Sequence, residues 1–157
     1  MQTMKRHSFW LKILRYLWVA PISLGCTPLA ALAWATGGHF ALHSGVLEIW
    51  GGYIGKRLQQ GLPLFGRVNA FTLGHVVIGV SPAHIAASRV HERVHVAQFE
   101  RWGVLFPLVY AIAGWRAQRR GGHAYWDNPY EIEARQAAAQ VQQIDLYSLQ
   151  CDGETKE

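Results

Sequence analysis

Acidic residues are what this sequence most lacks. Between Met1 and Val90 the only acid is Glu48, against eight Lys or Arg. Charged residues make up 16% of the 157 residues, where about 25% is usual. Hydrophobic residues reach 50%, which excludes a disordered chain. The two cysteines, Cys26 and Cys151, sit in an apolar run and in the polar C-terminal tail. With no CxxC spacing, neither a disulfide framework nor a thiolate zinc site is expected. There is no internal repeat and no low-complexity tract. The length is that of one ordinary domain.

The basic, acid-poor half lies beside apolar stretches, and the mean hydropathy is +0.03. That combination suits contact with anionic membrane lipids. The basic residues are scattered among apolar runs and form no stripe with interleaved aromatics, so nucleic acid is not the expected partner. Tyr16 to Thr36 carries no charge and is about as long as a bilayer core requires, near 20 residues. Lys5, Arg6, Lys12 and Arg15 precede it, with Trp10 and Trp18 at its edge. The segment 1–38 therefore reads as a membrane anchor, with the cell membrane as the expected location. Pro21 and Pro28 would bend it or make it re-entrant. A cleaved signal peptide and a soluble core helix are the rival readings.

Downstream, Gly45–Trp50 reads as a strand and Tyr53–Gln60 as a short helix stopped by Gly61 and Pro63. Ala70–Val80 is rich in aromatic and β-branched residues and reads as a second strand. Ser81-Pro82 opens a long helix reaching Trp102, with Gly103 after it. Val104–Trp115 is too short to cross a bilayer. It reads as a core helix, with a membrane-surface helix as the alternative because Arg116, Arg119 and Arg120 follow. Asn128-Pro129 begins a last helix to about Ser148. The division is thus 1–38, a metal-binding domain at 39–150, and a polar tail at 151–157. The fold class is α+β.

The chemistry concentrates in His91-Glu92-Arg93-Val94-His95, an HExxH in the middle of the long helix. Two imidazoles four residues apart share a helix face and can bind one Zn²⁺. Glu92, beside them, is placed to take a proton from an activated water. A third ligand is needed. Glu131 and Glu133 both fall in Asp127–Arg135. Asn128 with Glu131 is also a capping box, in which the Glu would turn toward its own helix start and leave Glu133 as the spare carboxylate. Gln98, His84 and His75 are weaker candidates for the surroundings of the metal. Tyr125, Tyr130 and His123 are candidate hydrogen-bond donors to an oxyanion.

HExxH followed by Glu131-Ile-Glu-Ala134-Arg135 resembles the gluzincin metallopeptidases, in several of which a Glu on a later helix begins an E-x-x-A-D run. The resemblance implies a zincin-like helical core with a small β-sheet, and metal held by His91, His95 and Glu131. Glu92 would be the catalytic base of a zinc hydrolase acting on peptides. It also implies that the strand at Phe71–Val80 pairs with an extended substrate. Arg135 departs from the family's Asp. A closer resemblance is to small uncharacterised bacterial proteins with an apolar N-terminus, over TLGHVVIG, HERVHVAQFERWG and DNPYEIEAR; it implies a bacterial inner membrane and no particular activity. The expectation is therefore a membrane-associated zinc metallopeptidase. The alternative is a non-enzymatic membrane protein with a structural or degenerate metal site.

Overall fold

The structure, a computed structural model, describes residues 2–61 and 66–154; in the two terminal helices it describes the side chains of 10, 13–25 and 129–147. Pro63, the side chains of Lys5, Arg6, Lys12 and Cys151, and the tail at 155–157 lie outside the described residues. The chain is α+β. In order it forms α1 (Gln2–Gly25), α2 (Thr27–Ala35), β1 (Gly38–His43), β2 (Val46–Gly51) and α3 (Gly52–Gln60). Then come β3 (Ala70–Leu73), β4 (Val76–Gly79), α4 (Pro82–Trp102), a 3-10 turn (Gly103–Leu105), α5 (Phe106–Arg119) and α6 (Pro129–Glu154).

The four strands make one mixed sheet in the order β1-β2-β4-β3. β2 and β4 are parallel, and the two outer pairs are antiparallel. Two differences from the sequence reading concern strands. Ala70–Val80 is not one strand but a hairpin, turning at Gly74-His75, with Gly74 at φ +65°. A two-residue turn with Gly first matches the twist of its flanking strands. His75 is therefore in a turn rather than on a strand face. β1 was not anticipated; Ser44 and Gly45, at φ 47° and 80°, form the tight turn that pairs it with β2.

Side chains alternate across the inner strands, as the pleat requires. Ile49, Val76 and Ile78 face one core, with Leu58 of α3 and Cys26 and Ala33 of the α1–α2 region. Val46 and Val77 face the other, with Ile85 and Val96 of α4. Helices thus cover both faces of the sheet. Glu48 is buried at 4% exposure on the α4 side and is held by a bidentate pair of bonds from Arg89, at 2.9 and 3.0 Å. Glu48→Ala would leave Arg89 without its partner and open a gap between sheet and helix. Breaking a buried pair costs ~3–5 kcal/mol. The lower end is expected here because Arg89 is about one-third exposed, read as a lowered urea midpoint with unchanged slope.

No single described helix is long and apolar enough to cross a membrane; Ile13–Gly25 with Thr27–Ala35, bent by 47°, has the length and composition only as a pair. Pro21 lies inside α1, and Pro28 occupies the first turn of α2, where a missing amide costs nothing. Val19 is fully buried against Phe99 and Phe106. Tyr16 stacks on His75, with ring centroids 4.0 Å apart, and donates to Gly45 O at 2.8 Å. α6 runs past Ser148 to Glu154, so the polar tail begins as helix.

Candidate metal centre

α4 starts where its cap dictates: the Ser81 hydroxyl accepts from His84 N at 3.3 Å, with Pro82 next. His84 is spent there, its Nδ1 2.7 Å from the same hydroxyl. Two turns on, His91 and His95 project from one face toward α6. Their Nε2 atoms are 3.1 Å apart. Glu131, in the first turn of α6, meets both: Oε2 lies 3.3 Å from His91 Nε2, and Oε1 lies 3.2 Å from His95 Nε2. Donor atoms about 2.05 Å from a tetrahedral centre stand roughly 3.3 Å apart. The Nε2–Nε2 distance is close to that spacing, and each Nε2 faces a different oxygen of the Glu131 carboxylate at a similar distance.

The alternative position for Glu131 is not taken. Asn128 caps α6 alone, Oδ1 accepting from Tyr130 N at 3.2 Å, and its own amide bonds Tyr125 O. Glu131 is therefore free to reach α4. Glu133 points to Gln98, whose Nε2 donates to Glu133 Oε2 at 2.9 Å and to Tyr130 O at 3.1 Å. These bonds orient the Gln98 amide so that its oxygen faces His95 Nδ1 at 2.8 Å. Nδ1 must then carry the proton, and in a neutral His95 the Nε2 lone pair is left facing His91 and Glu131. This is how a metal-binding histidine is normally oriented. Gln98 is 1% exposed. Gln98→Leu is expected to weaken metal binding by about 10–100-fold, measured by chelator competition, with all three donors retained.

The three groups are electrostatically coupled. Burial alone would raise the Glu131 carboxyl, but the two imidazoles and the Tyr110 hydroxyl hold it well below the usual carboxylate range. Burial disfavours a charged His95; Glu131 outweighs this and raises it. Tyr110 donates to Glu131 Oε1 at 2.9 Å, and burial and that carboxylate push its phenol up. Tyr125 is pushed up to about 12 by burial and by Glu131. Glu131 Oε2 is buried and makes no hydrogen bond of acceptable geometry. With the histidines neutral, their Nε2 atoms and the Glu131 carboxylate offer donors to a divalent ion in place of their contacts with each other. Among the described residues, His91, His95 and Glu131 form a group able to hold a metal.

Glu92, next to His91 in the chain, is held from the sheet side. Its carboxylate accepts from the Thr72 hydroxyl of β3 at 2.7 Å. Burial pushes its pKa up, and Thr72 and the two histidines pull partly back. β3 is an outer strand of the sheet, paired only with β4 among the described residues. Arg135 lies over the Trp126 and Tyr125 rings, 5.1 and 5.9 Å from their centroids, and donates to Trp126 O. Its Nη1 is buried, unbonded and 4.0 Å from Glu131 Oε2. A cation thus stands where the gluzincin pattern has an acid.

The remaining candidates are engaged elsewhere. His75 bonds Glu100, with Nε2 3.2 Å from Oε1. His123 Nδ1 accepts from Tyr125 N and Trp126 N, closing the loop before α6. The Tyr130 ring packs on Phe106. Thr72 and Tyr110 were missed from sequence, because neither carries a local signal beyond its strand or its apolar helix. Compared with family models, with curated proteins and with solved structures, the chain matches none.

Proposed function

We propose that this protein is a membrane-associated zinc-dependent hydrolase that cleaves peptide bonds. His91, His95 and Glu131 would hold the metal, and Glu92 would be the catalytic base. The observation that carries the reading is the convergence of two imidazole nitrogens and one carboxylate at 3.1–3.3 Å, with an uncoordinated Glu beside them. Zn²⁺ suits a mixed nitrogen–oxygen donor set. When bound, it supplies Lewis acidity toward a carbonyl and acidifies a water in its open position.

The chain's own groups divide the remaining work. Glu92 takes the proton of the attacking water and passes it to the leaving amine. Burial raises its pKa, which makes the carboxylate a stronger base toward the water. Thr72 fixes the carboxylate from the strand side. Gln98 and Tyr110 hold His95 and Glu131 in place. An extended peptide laid along the outer edge of β3 would pair by main-chain bonds, with its scissile carbonyl brought beside Glu92.

The test is zinc content and peptide-library hydrolysis for the full chain purified in detergent under metal-sparing conditions. One zinc per chain with hydrolysis supports the proposal. Zinc without hydrolysis leaves a structural metal site, and a zinc-free chain ends both metal readings.

A further inference from the structure

α5 is apolar on two sides. Its inner side is used: Phe106 and Gly114 are buried. Its outer side, continued into the preceding turn, carries Leu105, Leu108, Ile112 and Trp115 in one stripe, all exposed, with Leu108 at 59% and Trp115 at 57%. A helix of a water-soluble domain normally carries polar residues there.

Two observations say what covers this stripe. The first is continuity. Trp18 of α1 lies against Gly103, where a Cβ would come within 2.3 Å of its ring. Trp18, itself half exposed, therefore adjoins the start of the stripe, and Leu14 and Leu17 of the same helix are exposed as well. They belong to the bent helix pair whose length and composition suit a membrane. The second is charge. Gly103 to Trp126 contains no acid. The stripe runs into Arg116 and Arg119, one helical turn beyond Ile112 and Trp115, and the Arg119 guanidinium sits 5.4 Å from the Trp115 ring centroid. Apolar residues on one face with Trp and Arg at the end are the pattern of a helix lying in a lipid headgroup boundary.

We infer that the outer face of α5 rests on a lipid bilayer beside α1, with Arg116 and Arg119 at headgroup level. The opposite side of the same helix walls the metal centre: Tyr110 bonds Glu131, and the Phe106 ring centroid is 6.4 Å from that of His95. The centre then stands about one helix diameter, ~10 Å, from the lipid. Resting on the hydrolase reading, this makes the substrate class a polypeptide segment held close to a membrane, not a freely diffusing peptide.

The experiment places a nitroxide at Leu108→Cys or Ile112→Cys in a Cys151→Ser chain, reconstituted in phosphatidylcholine–phosphatidylglycerol vesicles. Both positions are exposed, so labelling disturbs no core, and Cys26 is buried and stays unlabelled. The readout is collision with dissolved oxygen against collision with a water-soluble nickel chelate. High oxygen and low nickel accessibility at both positions is expected. High nickel accessibility places the stripe in water and overturns the inference. Shielding from both reagents means that protein covers the stripe, as in a second copy, and overturns it equally. Zinc content and turnover on the same samples keep the two proposals apart. Lipid-facing labels in a zinc-free chain leave the surface standing without the hydrolase, while water-facing labels in an active, zinc-loaded chain do the reverse.

Discussion

A Glu92→Gln chain is expected to keep its full zinc content and to cleave peptides about 10²–10⁴-fold more slowly. Glutamine has the size of glutamate, and its amide oxygen still accepts from Thr72. The packing around a side chain of 4% exposure is therefore retained. What is lost is the capacity to hold a proton. Glu92 contributes no donor atom to the His91–His95–Glu131 group, so metal content should not change. Metal analysis and mass spectrometry of a digested peptide library read the two quantities separately. Undiminished turnover would remove Glu92 from the chemistry. A parallel loss of zinc would make it part of the scaffold of the site.

The second large effect is on the metal itself. His91→Ala is expected to lower zinc affinity by more than the ~10–100-fold that attends loss of an outer partner, because a donor atom goes with it. The same holds for Glu131→Gln, which removes the one negative charge among the three donors. The consequence extends to folding stability. A ligand present at about 100 times its dissociation constant adds ~2.7 kcal/mol. Zinc should therefore raise the melting temperature of the wild-type chain and leave that of His91→Ala unmoved. Because His91 also faces the buried Glu131 carboxylate, metal-free His91→Ala should melt below metal-free wild type, and the zinc-induced rise in each chain is the quantity to compare. A zinc-induced rise of equal size in both chains would place the metal somewhere else.

Much of the centre was legible before any fold was known, since an α-helix fixes the distance between residues four apart. Ser81-Pro82 and Gly103 bounded α4, and HExxH needed nothing further to put two imidazoles on one face. The third donor was harder. Asn128 and Glu131 satisfy a capping motif as well as they satisfy a ligand pattern, and only the packing of α6 on α4 decides between them. The same packing explains Glu133, which looked like a spare carboxylate and instead holds Gln98. Tyr110 was invisible because its apolar neighbours in α5 read simply as core. The hairpin at Gly74 was hidden for a related reason. β4 is buried on both faces, so its residues show no alternation, and the run from Ala70 to Val80 looks continuous. β1 was missed because five of its six residues are exposed and resemble a loop.

Arg89 and Arg93 stand one turn apart on α4, and both grip the β1–β2 hairpin. Arg89 holds Glu48 in β2, and Arg93 donates to the carbonyls of His43 and Ser44 at the hairpin tip. The helix is consequently fixed in roll as well as in position. Turning it by a single residue, about 100°, would tear away both arginines. The bearing at which His91 and Glu92 leave the helix axis is therefore set by two arginines that contribute no donor atom to the metal centre.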